Sequence, residues 1–119
     1  MKQIKFYQYS KCSTCRKAKS FLETHGIDYK DISIIETPPS LSELKKALKA
    51  ADGNIKKLLN TSGERYRELN LKEKLPKLTV QQILDLLSKN GKLVKRPFAI
   101  NTELALVGFN EEAWKEQLL

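Results

Sequence analysis

Histidine occurs once in this 119-residue chain, as His25, and cysteine only twice, as Cys12 and Cys15. A zinc site takes about four protein ligands, or three and a water, so this inventory argues against a metal centre within one copy of the chain. Five glycines and four prolines are too few and too scattered to form a linker, and no repeat or low-complexity segment interrupts the sequence. One domain, residues 1–119, is expected. No window approaches the roughly 18 consecutive apolar residues of a membrane span. The opening MKQIKFYQYS is too polar for the apolar core of a secretory leader. A cytoplasmic chain with no membrane attachment is therefore expected. In that reducing compartment a static structural disulfide is not expected, and the glycosylation pattern Asn60-Thr61-Ser62 carries no weight.

Acidic residues are also in deficit, 14 against 22 lysines and arginines, for a net charge of +8. This balance attracts phosphate, oxyanions, acidic protein surfaces or nucleic acid. The lysines, however, scatter through helical segments and form no single block. That pattern describes a solvated surface, and no direct sequence-specific nucleic-acid binding is expected.

Ile4 and Phe6 alternate with Lys5 and Tyr7 in a short strand that runs toward Ser10, and a basic amphipathic helix follows over 13–24 with Ala18, Phe21 and Leu22 on its apolar face. His25-Gly26 supplies the helix stop, and Ile27 to Ile35 is expected as a second strand, completing a βαβ unit with parallel strands. Ser40 with Glu43 forms a capping box that opens a helix carrying Leu41, Leu44, Ala47 and Leu48. Residues 54–75 suggest short helices with Leu58, Leu59, Tyr66, Leu69 and Leu71 as core candidates. Thr79 caps a further helix bearing Val80, Ile83, Leu84, Leu86 and Leu87, and Asn90-Gly91 ends it. Strands at 98–101 and 104–107 and a helix over 111–118, with Trp114 and Leu118 inward, close the chain. The order predicts an α/β fold: a four-stranded mixed sheet with a helical insertion at about 40–90.

The cysteines sit where the first strand gives way to the first helix, and C-x-x-C at that junction of a βαβ unit is a thioredoxin-like signature. At the helix start Cys12 meets unsatisfied backbone N–H groups, the positive end of the helix dipole and the nearby cations Lys11, Arg16 and Lys17. These favour thiolate, which makes Cys12 the expected nucleophile. Cys15 lies nearly one turn on, within disulfide range, and is the expected resolving thiol. Ser13 and Thr14 complete the loop as thiolate or anion support. Two inert buried thiols are the competing description, and the basic, exposed flanks argue against it. Arg96-Pro97 stands out as a second cluster. Pro97 there is either an ordinary edge-strand proline or a cis one.

Cys12-Ser13-Thr14-Cys15-Arg16-Lys17-Ala18, Thr37-Pro38-Pro39-Ser40, Leu58-Leu59-Asn60, Leu93-Val94-Lys95-Arg96-Pro97 and Val107-Gly108-Phe109-Asn110-Glu111 together resemble the arsenate reductase-like (ArsC) family, with its Spx and MgsR regulator branch, over nearly the whole length. The resemblance implies a thioredoxin-like, glutaredoxin-like fold, a nucleophilic Cys12, and an active-site Arg96 before a cis-Pro97. It also implies thioredoxin, or glutathione with glutaredoxin, as electron donor and partner, and no bound cofactor. Glutaredoxin-coupled arsenate reductases resemble the chain at Cys12 and Arg96. They carry a histidine where Gln8 stands, an arginine where Asn60 stands, and a late arginine with no counterpart here. Asparagine cannot supply the charged fork of arginine, which argues against efficient arsenate reduction. The regulator branch binds the carboxy-terminal domain of the RNA polymerase α-subunit, and Gly53 resembles the glycine it uses there. The expected function is thiol-disulfide chemistry on a small oxidant or protein disulfide, with a redox-sensing regulator as the alternative.

Overall fold

Side-chain alternation builds the first strand, β1 (Ile4–Gln8), in which Ile4 and Phe6 are buried on one face of the sheet and Tyr7 on the other. The computed structural model describes residues 3–119; Met1 and Lys2, the start of the expected 1–119 domain, lie outside it. β1 stops at Gln8, short of Ser10, because the Tyr9 carbonyl turns to accept the Cys12 N–H at 3.0 Å. Helix α1 (Ser13–Thr24) follows and buries Cys15, Ala18, Phe21 and Leu22. Each large apolar side chain so buried contributes roughly 1.5–3 kcal/mol.

Strand β2 (Tyr29–Ser33) pairs parallel to β1, with Ile4 opposite Tyr29 and Gln8 opposite Ser33. It is shorter than the expected 27–35: Ile27 N–H still bonds back to the Leu22 carbonyl at the helix end, and Thr37 N–H bonds to the Ser33 carbonyl in a turn. Helix α2 (Leu41–Ala50) carries the expected capping box of Ser40 and Glu43. A 3-10 turn (Ile55–Leu58), α3 (Glu64–Glu68), α4 (Leu71–Lys74), a second 3-10 turn (Leu75–Lys77) and α5 (Val80–Lys89) then follow along the chain between β2 and β3. Val80, on the α5 pattern, lies outward and is 47% exposed.

Strand β3 (Phe98–Ile100) runs antiparallel to β1, and β4 (Ala105–Val107) antiparallel to β3, giving the order β2-β1-β3-β4. Both strands fall short of their expected inner ends because the side chain of Asn101 accepts the N–H groups of Glu103 and Leu104 in the hairpin turn. Helix α6 (Glu111–Leu118) buries Trp114 and Leu118 as expected. The result is a thioredoxin-like mixed sheet between two apolar cores. Ile4, Phe6, Ala99 and Trp114 lie with α1 and α6; Tyr7, Phe98 and Ile100 lie with the helical insertion.

Gly91 differs from expectation. It is not in the left-handed helix-stop conformation, but a Cβ on it would stand 1.7 Å from the Ile34 carbonyl oxygen. Glycine is there for a close backbone approach. That approach seats the segment 91–96 against the end of β2, where an antiparallel bridge between Leu59 and Val94 clasps it to residues 58–60. The Asn60 N–H to Leu93 carbonyl and Lys95 N–H to Leu58 carbonyl bonds, both 2.8 Å, complete the clasp.

Candidate active site at the Cys12 cleft

Cys12 is the N-cap of α1. Its backbone is extended, with φ −94° and ψ 117°, and its sulfur accepts the backbone N–H of Cys15 at 3.3 Å. A cap of this kind places the side chain at the positive end of the helix, where negative charge is favoured. Cys12 is half-buried and Cys15 fully buried, and neither is in a disulfide. Burial, with the hydrogen bond to Cys12 adding to it, pushes the Cys15 thiol up to about 12, although the Tyr9 backbone and the Arg96 charge pull the other way. The two cysteines are therefore unequal: one sulfur opens to solvent, and its neighbour is held as a thiol beneath it.

A cleft of about 470 Å³ lies over Cys12, lined by Thr14, Asn60, Ser62, Lys95, Arg96 and the run Val107 to Asn110. It opens at the end of the sheet where β1 and β4 terminate. The Arg96–Pro97 peptide is cis. Pro97 is buried, and its carbonyl accepts the Gly108 N–H at 2.8 Å, which ties the Arg96 segment to the end of β4. Arg96 lies over the Tyr9 ring, 5.0 Å from its centre. It also borders a smaller cleft of about 130 Å³ with Tyr9, Asn60, Arg65 and Lys92.

Of the residues singled out from the sequence, Cys12, Thr14 and Arg96 meet in the large cleft, with Cys15 beneath. Lys11 and Ser13 are exposed at the helix start and do not line it. Arg16 donates instead to the Ser10 carbonyl at 3.2 Å, bracing the loop before Cys12. Gly53 sits in the turn after α2, φ +79°, its N–H on the Leu48 carbonyl. Lys95, Ser62, Gly108, Phe109 and Asn110 were not singled out as site residues. For Lys95, Gly108, Phe109 and Asn110 the only signal was their place in Leu93 to Pro97 and Val107 to Glu111, whose approach to Cys12 depends on strand pairing; Ser62 lies in neither run and had no such signal.

A separate cleft of about 380 Å³ at the opposite end of the sheet, bordered by Lys5, Glu43 and Lys46, contains no cysteine. Among the described residues no group of three or more metal-binding side chains occurs, and no helix is long and apolar enough to cross a membrane.

A protein-family model described as the ArsC family matches residues 7–117. Protein YusI of Bacillus subtilis (strain 168) is 48% identical over 113 residues, covering 95% of this chain and 96% of that protein. The global transcriptional regulator Spx of Listeria monocytogenes serotype 4b (strain F2365) is 34% identical over 109 residues, covering 92% of this chain and 82% of the regulator. A crystal structure of an ArsC family related protein from Bacteroides fragilis superposes with a TM-score of 0.89 at 42% identity, covering 97% of both chains.

Proposed function

The chain belongs to the ArsC family, and on that premise we propose that it is a cytoplasmic thiol-disulfide redox protein in which Cys12 attacks and Cys15 resolves. The Cys12 thiolate attacks one sulfur of a disulfide; a bond from Cys12 to that sulfur forms, the substrate S–S bond breaks, and the departing thiolate takes the electron pair. Cys15 then gives up its proton to a thiolate and attacks the Cys12 sulfur, expelling the second half of the substrate as a thiolate and leaving a Cys12–Cys15 disulfide. Thioredoxin, or glutaredoxin with glutathione, returns the pair to two thiols. Arg96 steadies the negative charge that passes through the cleft.

The observation that carries this reading is the 3.3 Å bond from the Cys15 N–H to the Cys12 sulfur, with the Cys15 thiol buried beneath. Equilibration in glutathione redox buffers, followed by thiol trapping and intact mass, measures the internal disulfide directly. A midpoint within the cytosolic range, roughly −220 to −320 mV, supports the reading. No internal disulfide anywhere in that range removes the two-cysteine mechanism. Cys15→Ser should trap a mixed disulfide that Cys12→Ser cannot form, and equal trapping by both variants would refute the assigned roles.

The resemblance to Spx favours a second reading, a redox-sensing regulator that docks on RNA polymerase, at its α-subunit, through the surface that includes Gly53. Capture of that polymerase chain that changes on oxidation of the protein and is lost in Gly53→Arg would support it. Arsenate reduction is the weakest of the family's activities for this chain, because Asn60 supplies an amide in the cleft and no guanidinium.

A further inference from the structure

The peptide joining Gly108 to Phe109 is held from the core side through its carbonyl, and the peptide before it is anchored through the Gly108 N–H. The Gly108 carbonyl accepts the buried indole N–H of Trp114 at 3.1 Å, and the Gly108 N–H donates to the Pro97 carbonyl at 2.8 Å. The indole is itself held by edge contacts to Phe21 and Phe109, at 6.1 and 5.0 Å between ring centres. At φ +74° this position favours glycine, and a Cβ there would stand 2.9 Å from Lys95 Cε.

A trans peptide carries its carbonyl and its N–H on opposite sides. With the carbonyl turned inward to Trp114, the N–H of Phe109 is turned away from the core, and Gly108, Phe109 and Asn110 line the cleft that holds Cys12 and Arg96. The Phe109 N–H has no hydrogen-bond partner among the described residues. A main-chain donor and a guanidinium on the walls of one cleft are suited to an anionic oxygen.

Resting on the reading of Cys12 as nucleophile, we propose that the Phe109 N–H joins Arg96 in binding a carboxylate or other oxyanion carried by the substrate, and that Trp114 is the positioning residue that keeps this N–H turned to the cleft. The substrate class is thus a disulfide bearing an oxygen anion near the attacked sulfur. Trp114 touches no substrate; it acts only through the Gly108 carbonyl.

The test titrates the full chain with inorganic sulfate at constant ionic strength, following backbone amides by NMR and the reaction of Cys12 with neutral dithiodipyridine. The expected result is a saturable downfield shift of the Phe109 amide and, over the same sulfate range, slower reaction of Cys12. Trp114→Phe keeps an aromatic ring and deletes the indole N–H. It should bind sulfate about tenfold more weakly, with its sulfate-free rate unchanged. A stationary Phe109 amide while sulfate still protects Cys12 overturns the proposal, as does wild-type sulfate affinity in folded Trp114→Phe. If that variant does not fold, the wild-type amide titration decides alone. Normal Cys12 reaction that ignores sulfate sinks the subsite and leaves the redox reading standing. No reaction at Cys12 sinks the redox reading itself.

Discussion

Arg96 stacks its guanidinium over the ring of Tyr9, 5.0 Å from the ring centre, and from there borders both the Cys12 cleft and the smaller cleft beside it. The stack joins the residue after β1 to the residue before Pro97, so the charge is held at the cleft wall by an aromatic plane. Lysine keeps the charge and loses the planar stack. A stack of this kind is worth about 0.5–1 kcal/mol. Arg96→Lys should therefore slow the reaction of Cys12 with anionic dithionitrobenzoate about two- to fivefold. Its reaction with neutral dithiodipyridine should be unchanged. Stopped-flow rates with the two reagents check this, and equal slowing with both would show that the stack positions the cysteine loop rather than the charge.

Cys15 should make stability fall on the alkaline side. Its folded thiol is pushed up to about 12, chiefly by burial, against an ordinary value of 9.0. The buried thiol's contribution is fully present below the unfolded pKa and is lost as pH rises through the folded one, because the unfolded chain releases the proton first. Burial first, with help from Glu23, also raises Tyr29 to about 12, and burial with the Glu43 hydrogen bond raises Tyr7. Unfolded tyrosines ionise only near pH 10. Loss that begins about one pH unit lower belongs to the thiol, and Cys15→Ala should flatten the stability profile there. Urea titrations across that interval measure it. In the folded wild type at neutral pH, iodoacetamide should label Cys12 and spare Cys15.

Glu43 should act on the acid side. Burial alone would raise its pKa, but the Ser40 backbone N–H, the Tyr7 hydroxyl and Lys5 outweigh that and hold it below the usual carboxylate range. The distances are 3.0, 2.7 and 3.1 Å. A depressed carboxylate contributes stability that is present above the unfolded pKa, about 4.3, and lost as pH falls through the folded value. Glu43→Gln still accepts hydrogen bonds but carries no charge. It should cost about 1–2 kcal/mol at neutral pH and remove this part of the acid loss. Thermal melts from neutral to acid pH test both, and an unchanged acid limb would show that the network is screened.

Local chemistry was the legible part of this molecule. Ser40 and Glu43 announce a capping box by their spacing, Cys12 announces a helix start, and Trp114 and Leu118 share one face of a short amphipathic helix. Strand ends were less legible, because Tyr9 and Asn101 stop their strands through turn hydrogen bonds that no period reveals. The cleft around Cys12 was legible only in pieces. Asn60, Lys95 and Phe109 reach it through the Leu59–Val94 bridge and through the pairing of the β3–β4 hairpin with β1, contacts across dozens of residues. Arg16 shows the limit of proximity in sequence: one turn from Cys12, it spends its guanidinium on the Ser10 carbonyl.

Gly91 offers the sharpest separation of a local from a tertiary cause. A glycine after a helix is ordinarily taken as a left-handed stop, and alanine there is strained by the backbone angle itself. Gly91 has no such angle; the Ile34 carbonyl occupies the space of its Cβ, 1.7 Å away. Both partners are backbone, so neither can swing aside, and relief requires the 91–96 segment to shift from the end of β2. Gly91→Ala should therefore destabilise the chain by about 3 kcal/mol, and the shift should carry Arg96 with it. Gly26 is in the left-handed region with open space around its Cβ position. Gly26→Ala should cost only about 1 kcal/mol and leave the Arg96 region undisturbed. Urea unfolding ranks the two losses, and amide shifts at residues 94–97 in the two folded variants show whether the Arg96 segment has moved. Equal losses, or an unmoved segment in Gly91→Ala, would mean that the β2 end yields instead.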